Sequence, residues 1–173
     1  MKEAMANRLR CWMFYRYGCY RGTGGRVKYV APDWREVRLE VPLSWRTRNY
    51  VGTIFGGSMY GAVDPIYMLM LIQRLGPGYV VWDKAARIEF KKPGRSALQA
   101  RFLVGDEEIA QISSALEMQR SVDRTYSVDL VDEGGTVCAT VEKVIYVRKR
   151  QAPSSGGGSS SEVSISTPSF EDK

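Results

Sequence analysis

The stretch GTIFGGSMYGAVDPIYMLMLIQRL, Gly52–Leu75, decides how the rest of the chain must be arranged. It opens at a glycine pair, Gly56-Gly57, runs apolar on almost every side, and stops at Gly76-Pro77-Gly78, a strong helix terminator. A helix that is apolar all round must be enclosed by other structure. Yet it carries one carboxylate, Asp64, followed at once by Pro65. A proline there removes a backbone N–H and crowds the preceding turn, so the spacing predicts a local kink that fixes the direction of Asp64.

Working outward, residues 3–17 read as a helix, with Met5, Leu9, Trp12, Met13 and Tyr17 at helical spacing. Arg21–Gly25 reads as a loop. Strands are expected at Arg26–Ala31 and, after Pro32-Asp33, at Glu36–Pro42, where Val37, Leu39 and Val41 alternate with Arg38 and Glu40. After the central helix, Tyr79–Lys92 reads as a long strand, Pro93-Gly94 as a tight turn and Ser96–Val104 as its partner. A short helix follows Gly105-Asp106, and Val122–Val131 with Thr136–Val147 forms a final hairpin. The expected fold class is α+β: an antiparallel sheet wrapped around one long central helix, with a helix at the N-terminus. One sheet cannot cover such a helix entirely, so the remaining face and the sheet edge predict a homodimer. Residues 1–150 form the expected domain. From 151 to 173 the Ser/Gly-rich composition predicts a disordered tail.

Composition excludes several chemistries. The chain has no histidine, which removes Ser-His-Asp and Cys-His nucleophilic sites and every His-ligated metal. Its three cysteines, Cys11, Cys19 and Cys138, have neither disulfide nor zinc spacing, so no metal and no cofactor is expected and a reducing cytoplasm fits best. Of the net charge of +6, an equal amount resides in residues 1–30, where Lys2, Arg8, Arg10, Arg16, Arg21, Arg26 and Lys28 face only Glu3. Such a segment suits an anionic partner, a membrane surface included, or a solvated face; nucleic acid is not the expected partner.

The central stretch can do chemistry. N–H groups in the first turn of a helix lack intrahelical acceptors and carry partial positive charge, so Gly56 and Gly57 offer an oxyanion site. The same glycines also let the helix start close against a strand, and spacing alone leaves both readings open. An ionised carboxylate in apolar surroundings needs donors, and Asn49, Thr53 and Ser58 are candidates. Asp64 lies about 12 Å along the helix from Gly56, so the two meet only across a two-fold axis. Period-two spacing places Lys84 on the face of Trp82 and Phe90, where it either pairs with Asp64 or a substrate carboxylate, or reaches water. Lys91, Lys92, Arg95 and Arg101 gather near the Pro93-Gly94 turn and suit phosphate groups.

The pattern N-x-x-G-T-x-x-G-G-x-x-x-x-x-x-D, Asn49 through Asp64, resembles the hotdog-fold acyl-CoA thioesterases of the phenylacetate-pathway type. The longer string, with YVVWDKA, IEF and KPGR, is similar to an uncharacterised thioesterase-like branch of that superfamily, over residues 5–148. The resemblance implies an acyl-CoA or acyl-carrier thioester substrate and a homodimer or tetramer. It implies that the Gly56 N–H, with Gly57, polarises the thioester carbonyl, that Asp64 of the partner chain acts as base or nucleophile, and that Asn49 orients water or the carbonyl. The family's histidine before the glycine pair is Phe55 here, which would line an acyl pocket with Tyr60, Met68 and Met70. Thr53, Ser58, Lys84, Lys92 and Arg95 complete the expected substrate-binding set.

Overall fold

The computed structural model describes residues 2–150. The expected tail from residue 151 lies outside the described residues. Helices α1 (Lys2–Tyr15) and α2 (Gly18–Thr23) precede strands β1 (Arg26–Val30) and β2 (Glu36–Val41). The central helix comes next in two pieces, α3 (Gly56–Val63) and α4 (Ile66–Leu75). Strands β3 (Tyr79–Phe90) and β4 (Leu98–Leu103), helix α5 (Asp106–Met118), and strands β5 (Ser121–Val131) and β6 (Val137–Lys149) complete the order.

The strands form one six-stranded antiparallel sheet in the order β1-β2-β4-β5-β6-β3. The expected element order and the β5–β6 hairpin are present. Two expectations need correction. The N-terminal helix ends at Tyr15, and a second helix, α2, runs into the first half of the segment expected as a loop, closed by Gly24 at a φ of 77°. The expected β3–β4 hairpin does not form: β3 pairs with β6 along its full length and makes one outer edge, while β4 inserts between β2 and β5. Local strand spacing reads as a hairpin, but the alternation of buried Leu98, Ala100 and Phe102 is satisfied equally by any neighbour that closes the core.

The central helix lies against the sheet with Met59, Ala62, Val63, Ile66, Met70 and Leu71 buried. The break falls at Asp64-Pro65, where both residues keep right-handed helical torsions. The helical turn therefore passes through a missing donor. Next to the break, the Tyr20 hydroxyl donates to the Ala62 carbonyl at 3.3 Å, so a side chain supplies part of what the ladder lacks.

The α2–β1 corner presses on this helix at two glycines. A Cβ at Gly61 would lie 2.9 Å from Thr23 Cγ2, and one at Gly25 would lie 2.6 Å from the Ala62 Cβ. Ala62 cannot rotate away, because its Cβ is fixed to the helix backbone. Gly25→Ala is therefore expected to destabilise the fold by about 1–3 kcal/mol through overpacking. Gly22→Ala, in helical backbone with open space around it, is expected to be neutral or to stabilise by up to about 1 kcal/mol. Urea titration of the two variants against the parent chain checks the contrast.

Candidate functional site

Strand β6 sends Ala139, Val141, Ile145 and Val147 toward the helix. Lys143 occupies the same inward row and its side chain is 1% exposed. Its ammonium reaches Asp64 Oδ1 at 2.6 Å and Asp83 Oδ1, on β3, at 2.9 Å. It also lies 5.4 Å from the centre of the Tyr60 ring. Tyr60, one helical turn before Asp64, donates its hydroxyl to the same Oδ1 at 2.7 Å. Asp64 Oδ1 is thus held by two donors, while Oδ2 has no donor among the described residues, and the side chain as a whole is 41% exposed. One oxygen is anchored and the other is presented.

Burial by itself pushes the Lys143 ammonium down, but the adjacent Asp64 and Asp83 carboxylates outweigh it and hold the pKa above the usual lysine value. Burial raises Asp83, Lys143 partly opposes this, and the nearby Asp64 charge adds to it. The Asp83–Lys143 contact is close but poorly directed: Oδ1 of Asp83 has no aligned hydrogen bond, so the attraction is that of an ion pair. Burial and donation to Asp64 together raise the Tyr60 hydroxyl.

The other end of α3 forms a second cluster. Neither the Gly56 nor the Gly57 N–H has an acceptor among the described residues, and Phe55 offers no side-chain cap. Phe90, at the end of β3, covers Gly56 so closely that a Cβ there would lie 2.7 Å from the ring. Gly57 is likewise pressed by the Phe55 ring, which is otherwise exposed. Both readings of this glycine pair are therefore physical: it permits close packing and it leaves donors available. The chain after β3 folds back beside this end, since Ile54 N–H donates to the Gly94 carbonyl at 2.9 Å. That contact brings the exposed Lys91, Lys92 and Arg95 to the segment that enters the helix.

Asn49 and Thr53 form a latch across the turn before α3. The Thr53 N–H donates to Asn49 Oδ1 at 3.0 Å, and Asn49 Nδ2 donates to Thr53 Oγ1 at 2.9 Å. Gly52, at a φ of 83°, makes that turn possible. Three expectations are corrected here, and the open choice for Lys84 is decided. The donors to Asp64 are Tyr60 and Lys143, not Asn49, Thr53 or Ser58; Thr53 is buried on the entry segment and Ser58 in the first turn of α3. Lys84 is exposed and pairs with Asp123 at 2.5 Å, because a bulge between Asp83 and Ala85 shifts the strand's facing at that point. Arg101 stands apart from the Pro93-Gly94 cations, bound to Glu36 at 2.6 Å. Met70 is sealed in the core, whereas Met68 and Tyr60 are half-buried. A groove of about 850 Å³ is lined by Lys28, Arg38, Glu40, Gln99, Arg101 and Asp129, none of which belongs to either cluster. Among the described residues, no three Cys, Asp or Glu side chains converge on a metal position.

Lys143 and Asp83 were not among the sequence-derived candidates. The signal for Lys143 is legible in retrospect: Val137, Ala139, Val141, Ile145 and Val147 alternate as an inner face, and lysine interrupts that series.

An antiparallel sheet wrapped around a central helix defines a hotdog fold. The chain belongs to the DUF4442 family, a domain of unknown function, whose pattern matches residues 7–147. Similar solved structures include PA5026 of Pseudomonas aeruginosa, described as a protein of unknown function and probable thioesterase. It has 16% identity and a TM-score of 0.75, and the match covers 83% of this chain and 95% of that one. The thioesterase HI1161 of Haemophilus influenzae matches at 16% identity and a TM-score of 0.59, covering 83% and 88%. The PaaI protein of the E. coli phenylacetic acid degradation operon matches at 13% and 0.53, covering 87% and 95%. No curated protein sequence matches the chain.

Removing the ammonium from this site is expected to have a pH signature. In Lys143→Met, Asp83 keeps its burial and loses its counter-charge, so its folded-state pKa rises further above the unfolded value. Stability is then retained at acidic pH, where Asp83 is neutral, and lost as pH rises through that raised value. A loss on the order of 3 kcal/mol is expected at neutral pH, shrinking toward pH 4. Adding Asp83→Asn is expected to recover part of it, and denaturation at a series of pH values checks both.

Proposed function

We propose that this chain is an acyl thioester hydrolase acting at a homodimer interface. The observation that carries the reading is the unequal pair of oxygens on Asp64: Oδ1 clamped by Tyr60 and Lys143, Oδ2 open. A carboxylate held this way can take a proton from water without losing its aim. The water oxygen then bonds to the thioester carbon, the carbon–sulfur bond breaks, and the proton passes from Asp64 to the departing thiolate sulfur. The developing oxyanion is met by the N–H of Gly56, with Gly57, of the partner subunit. The two halves of the site stand at either end of α3, about 12 Å apart by helical rise, which is why one chain does not suffice.

Supporting features follow from placement. Lys92 and Arg95 lie beside the amide-rich helix start and suit the phosphates of coenzyme A or of an acyl carrier's prosthetic group. Phe55, Tyr60 and Met68 provide apolar surface for the acyl chain. Asn49 and Thr53 hold the entry turn, and Ser58 sits within the first turn of α3. Strand β3 leaves one long edge unpaired in the single chain, with Trp82 and Phe90 exposed on it, and that edge is a natural seam for a second copy. The reaction requires no cofactor, and a cytoplasmic setting suits both the substrate and the free cysteines.

One observation favours a second reading, acyl-CoA or fatty-acid binding without hydrolysis: Lys143 engages the very carboxylate that would serve as base. The two readings separate in one experiment. Release of free thiol from acyl-CoAs of graded chain length is expected, and both Asp64→Asn and Asp64→Ala are expected to lower turnover at least about 100-fold. Saturable acyl-CoA binding with no thiol release supports the second reading. Turnover unchanged in both variants removes Asp64 from the chemistry and the proposed mechanism with it.

A further inference from the structure

The basic N-terminal segment takes no part in the chemistry above. Helix α1 has 14 residues, about 21 Å of length, and two distinct long faces. Its inner face is fixed to the domain. Cys11 and Phe14 are buried, Asn7 Oδ1 accepts from the Val30 N–H at 2.9 Å, and Arg10 Nε donates to the Val30 carbonyl at 3.0 Å. The helix is therefore part of the folded body, and its outer face points away from it.

That outer face is unusual in composition. Met5 is 71% exposed, Leu9 65% and Trp12 53%, and exposed Tyr17 follows at the C-terminal end. At 100° per residue, Arg8, Trp12, Met5, Arg16 and Leu9 fall in that order within an arc of about 100°. No acidic residue lies in that arc: Glu3 is on another side, bound to Arg10 at 2.8 Å. Two further cations of the segment, Arg26 and Lys28, both approach Glu40 on the sheet. Arg8, Arg16 and Arg21, by contrast, are exposed and have no acidic partner among the described residues. The Arg16 guanidinium sits 5.9 Å from the Trp12 ring centre, so the cation and the aromatic are presented together.

We propose that the outer face of α1 docks on an anionic lipid bilayer surface, with the helix axis lying in the plane of the interface. Long apolar side chains enter the acyl boundary, Trp12 and Tyr17 sit at headgroup level, and Arg8, Arg16 and Arg21 meet the headgroup phosphates. Charge complementarity selects this occupant. A second copy of the same face would bring arginines against arginines. A nucleic acid backbone would satisfy the arginines and leave Met5 and Leu9 without partners. The inference is independent of the hydrolase reading.

The experiment is sedimentation of the full chain with sucrose-loaded vesicles of phosphatidylcholine, with or without 30% phosphatidylserine. Salt titration, light scattering and a duplex-DNA binding arm accompany it. Binding is expected to the phosphatidylserine vesicles and to fall as salt rises. Arg8→Gln/Arg16→Gln is expected to weaken it roughly 25-fold, about fivefold per cation removed. Leu9→Gln/Trp12→Gln is expected to weaken it at least about tenfold; all four positions are exposed, and circular dichroism verifies that each variant folds. Failure of the parent chain to bind phosphatidylserine vesicles overturns the proposal. So does binding by both double variants as tight as that of the parent chain. Binding to DNA but not vesicles, or concentration-dependent self-association abolished by Leu9→Gln/Trp12→Gln without vesicle binding, overturns it in favour of the other occupants.

Discussion

An ammonium group shielded from water sits between two carboxylates at the centre of this protein. Lys143 Nζ, on β6, contacts Asp64 on the central helix and Asp83 on the edge strand β3. Three elements distant in sequence are tied at one point. The arrangement is electrostatically demanding, because desolvating three ionisable groups costs several kcal/mol each unless they satisfy one another. Such a point contributes less to net stability than to uniqueness: a slip of β6 by one residue would place Val144 inward and leave both acids without a cation. The same demand explains why Asp64 can stand in the middle of an apolar helix.

The helix break belongs to the same logic. Pro65 interrupts the backbone ladder one residue after the acid, so the carboxylate sits where the helix is least regular. Tyr60, a turn earlier, is within reach of it. Gly61, Gly25 and Tyr20 bring the α2–β1 corner into direct contact with the helix beside the break. The N-terminal segment thus reaches the vicinity of the acid through packing.

Much of the fold was legible because its signals are local. The glycine pair, the Gly-Pro-Gly stop and the alternation in β2, β5 and β6 each identify an element without reference to its neighbours. The order of strands was not legible. Which strand lies beside β3 depends on how the sheet closes over the helix, and Pro93-Gly94 imitates a hairpin turn that is a crossover instead. Among the candidate residues, spacing singles out Asp64, Gly56 and Gly57, and the structure couples Asn49 to Thr53. Lys143, the distant donor to Asp64, and Asp83, its second carboxylate, were missed because they lie 79 and 19 residues from Asp64 in sequence. A charge on an inner strand face is visible in sequence, but its counter-charge is a property of the closed sheet. Of the two settings expected for Lys84, the bulge beside Asp83 gives the outward one.

Strand β3 ends the sheet, carries Asp83 in its first half and finishes at Phe90 over Gly56. Its free rim and the two chemically interesting ends of α3 are therefore one mechanical body. A companion molecule that pairs along the rim would alter the setting of both acid and amides, and whatever occupies those groups would alter the grip of the companion by an equal free energy. In the proposed dimer, association and occupancy would be conjugate variables, written into a single stretch of backbone.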